Sequence, residues 1–324
     1  MQYFDYSTAD GSSFQRTVSL QDFLQTIVIS GRDQQVPNTP KQEMIRQLFA
    51  QALELTERIR ASQPRIPGII YTEPPELLVN IDPALGAECV FTAIKVSSGL
   101  IEASLRTPYP DLNNTIGSHS REDIHATNLP NMLFCWTVAH EYSHIVRRHD
   151  EISQVVGHDA LTQQAFEYDA DLCAIAAVFR WYQALIGPGI DDNILRQIIF
   201  SHLFWAIRAL PNPESSRSHL STAQRLYHLS TKLAQLEAKP RGLNTLAEIR
   251  NYGNVVTDEQ LARAGILADC LARCEAEYLK TMPIGKDDSA KDILREILHY
   301  IESSGFSPML QKWEEILVKV VLAS

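Results

Sequence analysis

The chain has 324 residues, of which 45% are hydrophobic and 21% charged, as in an ordinary globular protein. The net charge of −10 and the absence of a Lys/Arg stripe argue against nucleic-acid binding. No apolar run reaches the length of a membrane span, the first residues lack a signal-peptide pattern, and the five cysteines are scattered without paired spacing. We therefore expect a cytoplasmic protein with no membrane span and with reduced thiols.

The first part of the chain, residues 1–65, is predicted to be an N-terminal helical region. A short helical pattern runs from Leu20 to Ile29. Thr39 and Pro40 then supply an N-cap and a first-turn proline, which predict a helix over Lys41–Ala61. A proline-rich passage follows, in which a helix cannot continue.

Residues 69–107 form the β-rich part of the sequence. Alternating apolar residues predict strands at 77–81 and 88–96, a tight turn at 97–99 and a returning strand at 100–105. We expect a small mixed sheet that packs on the helix following it. An edge strand of such a sheet could pair with an extended substrate through main-chain hydrogen bonds.

The segment that follows contains the pentapeptide pattern H-E-x-x-H, formed by His140, Glu141 and His144. On a helix, residues four apart lie on one face, so both imidazoles can converge on a single ion. Two neutral imidazoles are typical zinc ligands, and the glutamate is placed to take a proton from a zinc-activated water. The pattern alone also suits two surface histidines on an amphipathic helix.

A second segment, some twenty residues later, favours a metal site over two surface histidines on an amphipathic helix. Zinc needs a third protein ligand, and Glu167 can supply it. Asp171 lies one helical turn further on and can accept the other N–H of a ligating histidine. The small residues Ala170 and Ala174 would let the two helices lie close together.

Taken together, H-E-x-x-H at 140–144 and E-x-x-x-D at 167–171 resemble the gluzincin zinc metallopeptidases. The surrounding residues are most similar to the phage-exclusion Lit peptidases, with similarity also to the HtpX and CAAX-prenyl endopeptidase group. The resemblance covers mainly residues 136–177. It implies that His140, His144 and Glu167 bind Zn²⁺, that Glu141 is the general base, and that Asp171 orients a ligand.

A rival ligand set would use Asp150, six residues after His144, where metzincins place their third ligand. That arrangement needs a glycine at position 147, whereas this chain has Arg147, which favours a continuing helix. His149 would then point away from the face of His140 and His144. We interpret His149 and Asp150 as residues of a helix end.

The rest of the chain is predicted to be helical, from the metal-binding helix to the C-terminus. The expected helices cover about 130–148, 160–186, 191–210, 244–251, 257–281, 288–303 and 308–322. The organisation predicted is a catalytic domain over 66–235 followed by a C-terminal helical bundle over 236–324. The fold class is therefore α+β, and the resemblance implies a zincin-like arrangement.

One further segment echoes the HtpX-like group, in which a histidine precedes an arginine-bearing helix near the cleft. Here His219 precedes Arg225, but Leu220 replaces the usual proline. We hypothesise that His219 or Tyr227 polarises the oxyanion and that Arg225 braces the site. The alternative is an ordinary helix start capped by Ser221 or His219.

The function predicted from these residues is hydrolysis of peptide bonds by Glu-assisted attack of a zinc-activated water. The substrate would be a specific intracellular protein or peptide, and the resemblance suggests a role in phage defence. Two alternatives stay open: a latent regulatory protease that a partner protein activates, and a zinc-stabilised interaction module without catalysis.

Overall fold

The computed structural model describes residues 16–29, 40–62, 73–106, 130–186, 190–210, 220–237, 256–281, 293–304, 311–312 and 315–316. In this part the protein is mostly helical with one small mixed sheet, which is an α+β fold. The strands are β1 (Arg16–Ser19), β2 (Glu76–Ile81), β3 (Ala87–Val90) and β4 (Ala93–Ser97). The principal helices are α1 (Leu20–Ile29), α2 (Pro40–Ser62), α3 (Ser98–Arg106), α4 (Met132–Val146), α5 (His149–Val156), α6 (Ala160–Ile186), α7 (Asp192–Ala209), α8 (Thr222–Gln235), α9 (Asp258–Thr281) and α10 (Ile293–Ser304).

The sheet has the strand order β1-β2-β4-β3, so β3 lies at one edge of the described sheet. β1 pairs antiparallel with β2, β2 parallel with β4, and β4 antiparallel with β3. Val79, Ile94 and Val96 are fully buried, which fixes the register because a one-residue slip would expose them. β1 comes from the region predicted to be helical, and it joins that region to the sheet.

The predicted long strand at 88–96 is in fact a hairpin. Phe91 and Thr92 form a two-residue turn between β3 and β4, and Phe91 has a φ of 55°. A positive φ at the first turn residue matches the twist of the flanking strands, which is why short hairpins use it. The turn makes β3 a short edge strand that runs back along β4.

The predicted turn and returning strand at 97–105 are wrong, because Ser97 ends β4 and residues 98–105 lie in helix α3. Leu100, Ile101 and Ser104 are buried, a spacing that suits one helical face. The Ser97 hydroxyl accepts a hydrogen bond from the Leu100 N–H at 3.0 Å and so caps the first turn. A short apolar run of this kind does not distinguish a strand from a helix by pattern alone.

Helix α4 lies at the centre of the molecule, against α2, α6, α7 and the sheet. Its residues from Met132 to His140 are all buried, including Phe134 and Val138. The largest hydrophobic cluster extends from Val18 of β1 to Ile297 of α10. The described parts of the three predicted regions therefore share one core, with α4 inside it.

The chain beyond α4 does not continue as a helix, contrary to the expectation from Arg147. α4 ends at Val146, Arg147 is its C-cap, and Arg148 adopts the left-handed conformation with a φ of 56°. This conformation costs about 1–2 kcal/mol for a residue other than glycine. The salt bridge between Arg147 and Asp169 and the burial of the His149 side chain offset that cost.

The other helices follow the sequence pattern closely. The predicted helices at Leu20–Ile29, Lys41–Ala61, 160–186, 191–210 and 257–281 are confirmed by α1, α2, α6, α7 and α9. Those predicted at 244–251 and over most of 308–322 lie outside the described residues. Among the described helices, none combines the length and apolar content that crossing a membrane requires.

Candidate metal centre

Helices α4 and α6 bring three metal-ligating side chains together. His140 and His144 project from α4 with their Nε2 atoms 3.2 Å apart. From α6, Glu167 places one carboxylate oxygen 3.4 Å from Nε2 of His140 and the other 3.5 Å from Nε2 of His144. All three ligand atoms lie within 4.8 Å of one another, so the group could hold a metal ion.

The His140 ring is held from behind by Asp171. Its Nδ1 lies 2.7 Å from Oδ1 of Asp171, whose carboxylate is fully buried. Arg225 of α8 forms a bidentate pair with that carboxylate at 2.9 and 2.8 Å. The guanidinium also stacks 4.7 Å from the ring centroid of Trp136, one turn before His140. Since Asp171 can only accept, Nδ1 of His140 must carry its proton, which leaves the Nε2 lone pair for a metal.

The His144 ring has a partner that the sequence patterns did not reveal. Its Nδ1 lies 2.9 Å from Nδ1 of His149, whose Nε2 lies 3.1 Å from Oδ2 of Asp169. Arg147 pairs bidentately with Asp169, at 2.7 and 3.0 Å. His149 is therefore a neighbour of a ligand and not a ligand itself, and it reaches this position because the chain turns at Arg148.

Sequence reasoning missed the contact between His149 and Asp169 because that contact depends on the turn at Arg148. On a continuing helix His149 would leave the face of His144, and Asp169, two residues from Glu167, points to a different side of α6. The one sequence signal was the clustering of charged and imidazole side chains at 147–150. Asp150, the rival ligand, is exposed on α5 and is not in the metal-ligating group of the described residues.

Glu141 lies next to the three ligating side chains without joining their group. Its Oε2 accepts a hydrogen bond from the backbone N–H of Cys89 on the edge strand β3, at 3.0 Å. Burial and the nearby charge of Glu167 raise the pKa of Glu141 to about 7, although the neighbouring His140 has the opposite effect. A carboxylate with such a pKa is suited to exchanging protons near neutral pH.

The electrostatics of the site favour the presence of a positive charge. Burial lowers the pKa of His140, but Asp171 and Glu167 outweigh that effect and raise it to about 10. Burial and the neighbouring charge of His140 lower the pKa of His144 to about 3. The charges of Arg225 and His140 together keep the pKa of Asp171 below its usual value despite the burial of this carboxyl group. Asp171 and Glu167 thus favour a positive charge at this place, which either a second proton on His140 or a bound cation can supply.

The remaining predicted site residues fall in different places. Arg225 contacts Asp171, which suits the bracing role predicted for it. Tyr227 packs its ring against those of His228 and Tyr300. His219 lies outside the described residues, and Ser221 caps α8 through a capping box with Gln224. The hypothesis of an oxyanion donor at His219 or Tyr227 stays a prediction.

Comparison of the chain with protein-family models, with curated proteins and with solved structures gave no match.

Proposed function

We propose that the protein is a zinc-dependent endopeptidase of the gluzincin type, with a zincin-like catalytic core. The observation that carries the proposal is the spacing of the ligand atoms. The two Nε2 atoms are 3.2 Å apart, and one oxygen of Glu167 lies 3.4 Å from that of His140 while its other oxygen lies 3.5 Å from that of His144. Bonds of about 2.0–2.2 Å to a tetrahedral zinc ion require ligand atoms roughly 3.3–3.6 Å apart. The three side chains therefore lie close to the spacing that a zinc ion requires.

The chemistry of the donor set supports the same metal. Two neutral imidazoles and one carboxylate form a set that catalytic zinc sites use, with a fourth position left for solvent or substrate. Asp171 occupies Nδ1 of His140 and His149 faces Nδ1 of His144, so both Nε2 atoms are free to ligate. When bound, the ion would acidify a water molecule and polarise a substrate carbonyl.

Glu141 is the residue to which we assign the proton transfers. It lies beside the ligands, and the Cys89 N–H holds one of its oxygens in place. In hydrolysis it would accept a proton from the attacking water and pass that proton to the nitrogen of the leaving amine. Partial burial of Glu141 keeps its pKa close to neutrality.

The edge strand β3 suggests how a polypeptide substrate would lie. Because Cys89 of β3 contacts Glu141, a peptide added along this edge would pass beside the base and the metal-ligating residues. Main-chain pairing of this kind tolerates many side chains, which suits the cleavage of an extended protein segment. The intracellular target and the role in phage defence rest on the family resemblance alone.

The proposal is tested by comparing the wild-type protein with Glu141→Gln, which keeps the size of the side chain and removes its basicity. Both proteins should bind one zinc ion per chain, measured by elemental analysis after dialysis. Only the wild type should create new protein N-termini when each is expressed in the same cells. Incubation with a chelator should abolish the cleavage.

The outcomes separate the proposal from its alternatives. Stoichiometric zinc with identical N-termini for both proteins would favour an interaction module stabilised by the metal. Cleavage inside cells but none with the purified wild type would favour a latent protease that a partner activates. A wild-type chain that retains no zinc under any of these conditions would refute the proposal.

A further inference from the structure

We propose that His149 and Asp169 form a positioning arm that fixes the ring of His144 for metal binding. The inference rests on the proposed function, since it assumes a metal between His140 and His144. Neither residue belongs to the metal-ligating group of the described residues, and their contacts lead to it through His144. The arm is built from residues that the family resemblance does not assign.

The carboxylate of Asp169 determines the donor and the acceptor in both hydrogen bonds of the arm. The carboxylate of Asp169 can only accept, so Nε2 of His149, 3.1 Å away, must donate. A neutral His149 then presents the lone pair of its Nδ1 to Nδ1 of His144, 2.9 Å away. His144 must donate across that contact, which leaves its own Nε2 unprotonated.

The unprotonated Nε2 is the atom that faces the other ligands. It lies 3.2 Å from Nε2 of His140 and 3.5 Å from Glu167. The opposite tautomer of His144 would direct a proton at that space and exclude a metal. The arm thus selects the tautomer of His144 whose Nε2 can bind a metal ion.

Packing and a salt bridge also hold this arm in place. The His149 ring is stacked on Phe166 with centroids 4.8 Å apart, and it is 3% exposed. Asp169 is clamped bidentately by Arg147, just as Asp171 is clamped by Arg225. The two ligating histidines therefore have parallel supports, and the support of His144 contains one additional imidazole.

The experiment measures zinc affinity by competition with a chromophoric chelator for two variants at one position. His149→Phe keeps a ring on Phe166 but removes the acceptor, and we expect its affinity to fall about 10–100-fold. His149→Gln offers a carbonyl oxygen to His144, and we expect it to recover most of the lost affinity. If His149 only filled space, His149→Phe would bind zinc more tightly than His149→Gln, because a phenyl ring fills the space better.

A matched control and a second variant keep the test decisive. His202→Phe replaces another buried histidine, on α7, and should leave the zinc affinity unchanged. If His149→Phe does not fold, Asp169→Asn provides the same test, since its amide can present either donor or acceptor to His149. Asp169→Asn should then bind zinc more weakly than the wild type.

Three results would be informative in different ways. Wild-type affinity in both His149→Phe and Asp169→Asn would overturn the positioning arm while leaving the metal site in place. Equal losses in His149→Phe and His149→Gln, with unchanged melting of both metal-free proteins, would also overturn it. Failure of the wild type to bind zinc would refute the proposed function itself.

Discussion

Replacing Arg225 with methionine removes the positive partner of the buried Asp171 behind the metal site while keeping an apolar stem against Trp136. The guanidinium of Arg225 makes two hydrogen bonds to Asp171, at 2.9 and 2.8 Å, and that carboxylate is fully buried. The variant leaves Asp171 with His140 but without the guanidinium of Arg225. We expect it to lose both stability and metal affinity.

The structure sets the size of both effects. Removing one partner of a buried, hydrogen-bonded ion pair costs about 3–5 kcal/mol. For a chain of 324 residues, an unfolding entropy of about 2.1 cal/mol/K per residue converts this loss into a midpoint about 4–7 °C lower. An Asp171 that is free to rotate no longer fixes the ring of His140, so zinc affinity should fall about 10–100-fold.

The assay combines thermal unfolding of the metal-free protein with chelator competition at a temperature where the variant is folded. Arg208→Met is the matched control, because Arg208 also pairs with a buried carboxylate, Glu275 at 2.7 Å, and stacks on an aromatic ring, Tyr278. It should lose comparable stability and no zinc affinity. If Arg225→Met binds zinc as tightly as Arg208→Met does, Arg225 does not orient the site through Asp171.

Three other outcomes follow from the structure. Glu141→Gln should keep its zinc while the rate of peptide hydrolysis falls about 10²–10⁴-fold, and normal turnover would remove Glu141 from the chemistry. Burial lowers the pKa of His202 to about 4. This residue alone should therefore lower the free energy of unfolding by roughly 3 kcal/mol between about pH 6.5 and 4, because the unfolded state takes up the proton first. His202→Gln should flatten that part of a denaturant-unfolding series, and an unchanged slope would contradict the assignment. Gly99→Ala would place a Cβ 2.2 Å from the carbonyl oxygen of Pro83, so chemical unfolding should show a loss of about 1–3 kcal/mol, and full stability would show that α3 can shift freely.

Much of the fold could be predicted because its helices carry strong local signals. Pro40 begins α2, and Thr257 forms a capping box with Gln260 at the start of α9. The β-rich segment was harder, because short apolar runs occur in strands and helices alike. Helix α3 forms where a strand was expected, since its buried residues meet the core at helical spacing.

The two imidazoles on one face of α4 and the carboxylates of Glu167 and Asp171 on one face of α6 follow from sequence spacing alone, because a helix repeats every 3.6 residues. Tertiary structure alone decided that the faces meet within 3.5 Å, that Cys89 reaches Glu141 from 52 residues away, and that His149 supports His144. The last contact depends on the left-handed backbone of Arg148, which no residue preference signals. Helical periodicity depends only on residues close together in the sequence. Contacts between distant segments form only when the packed core selects one arrangement of the helices and strands.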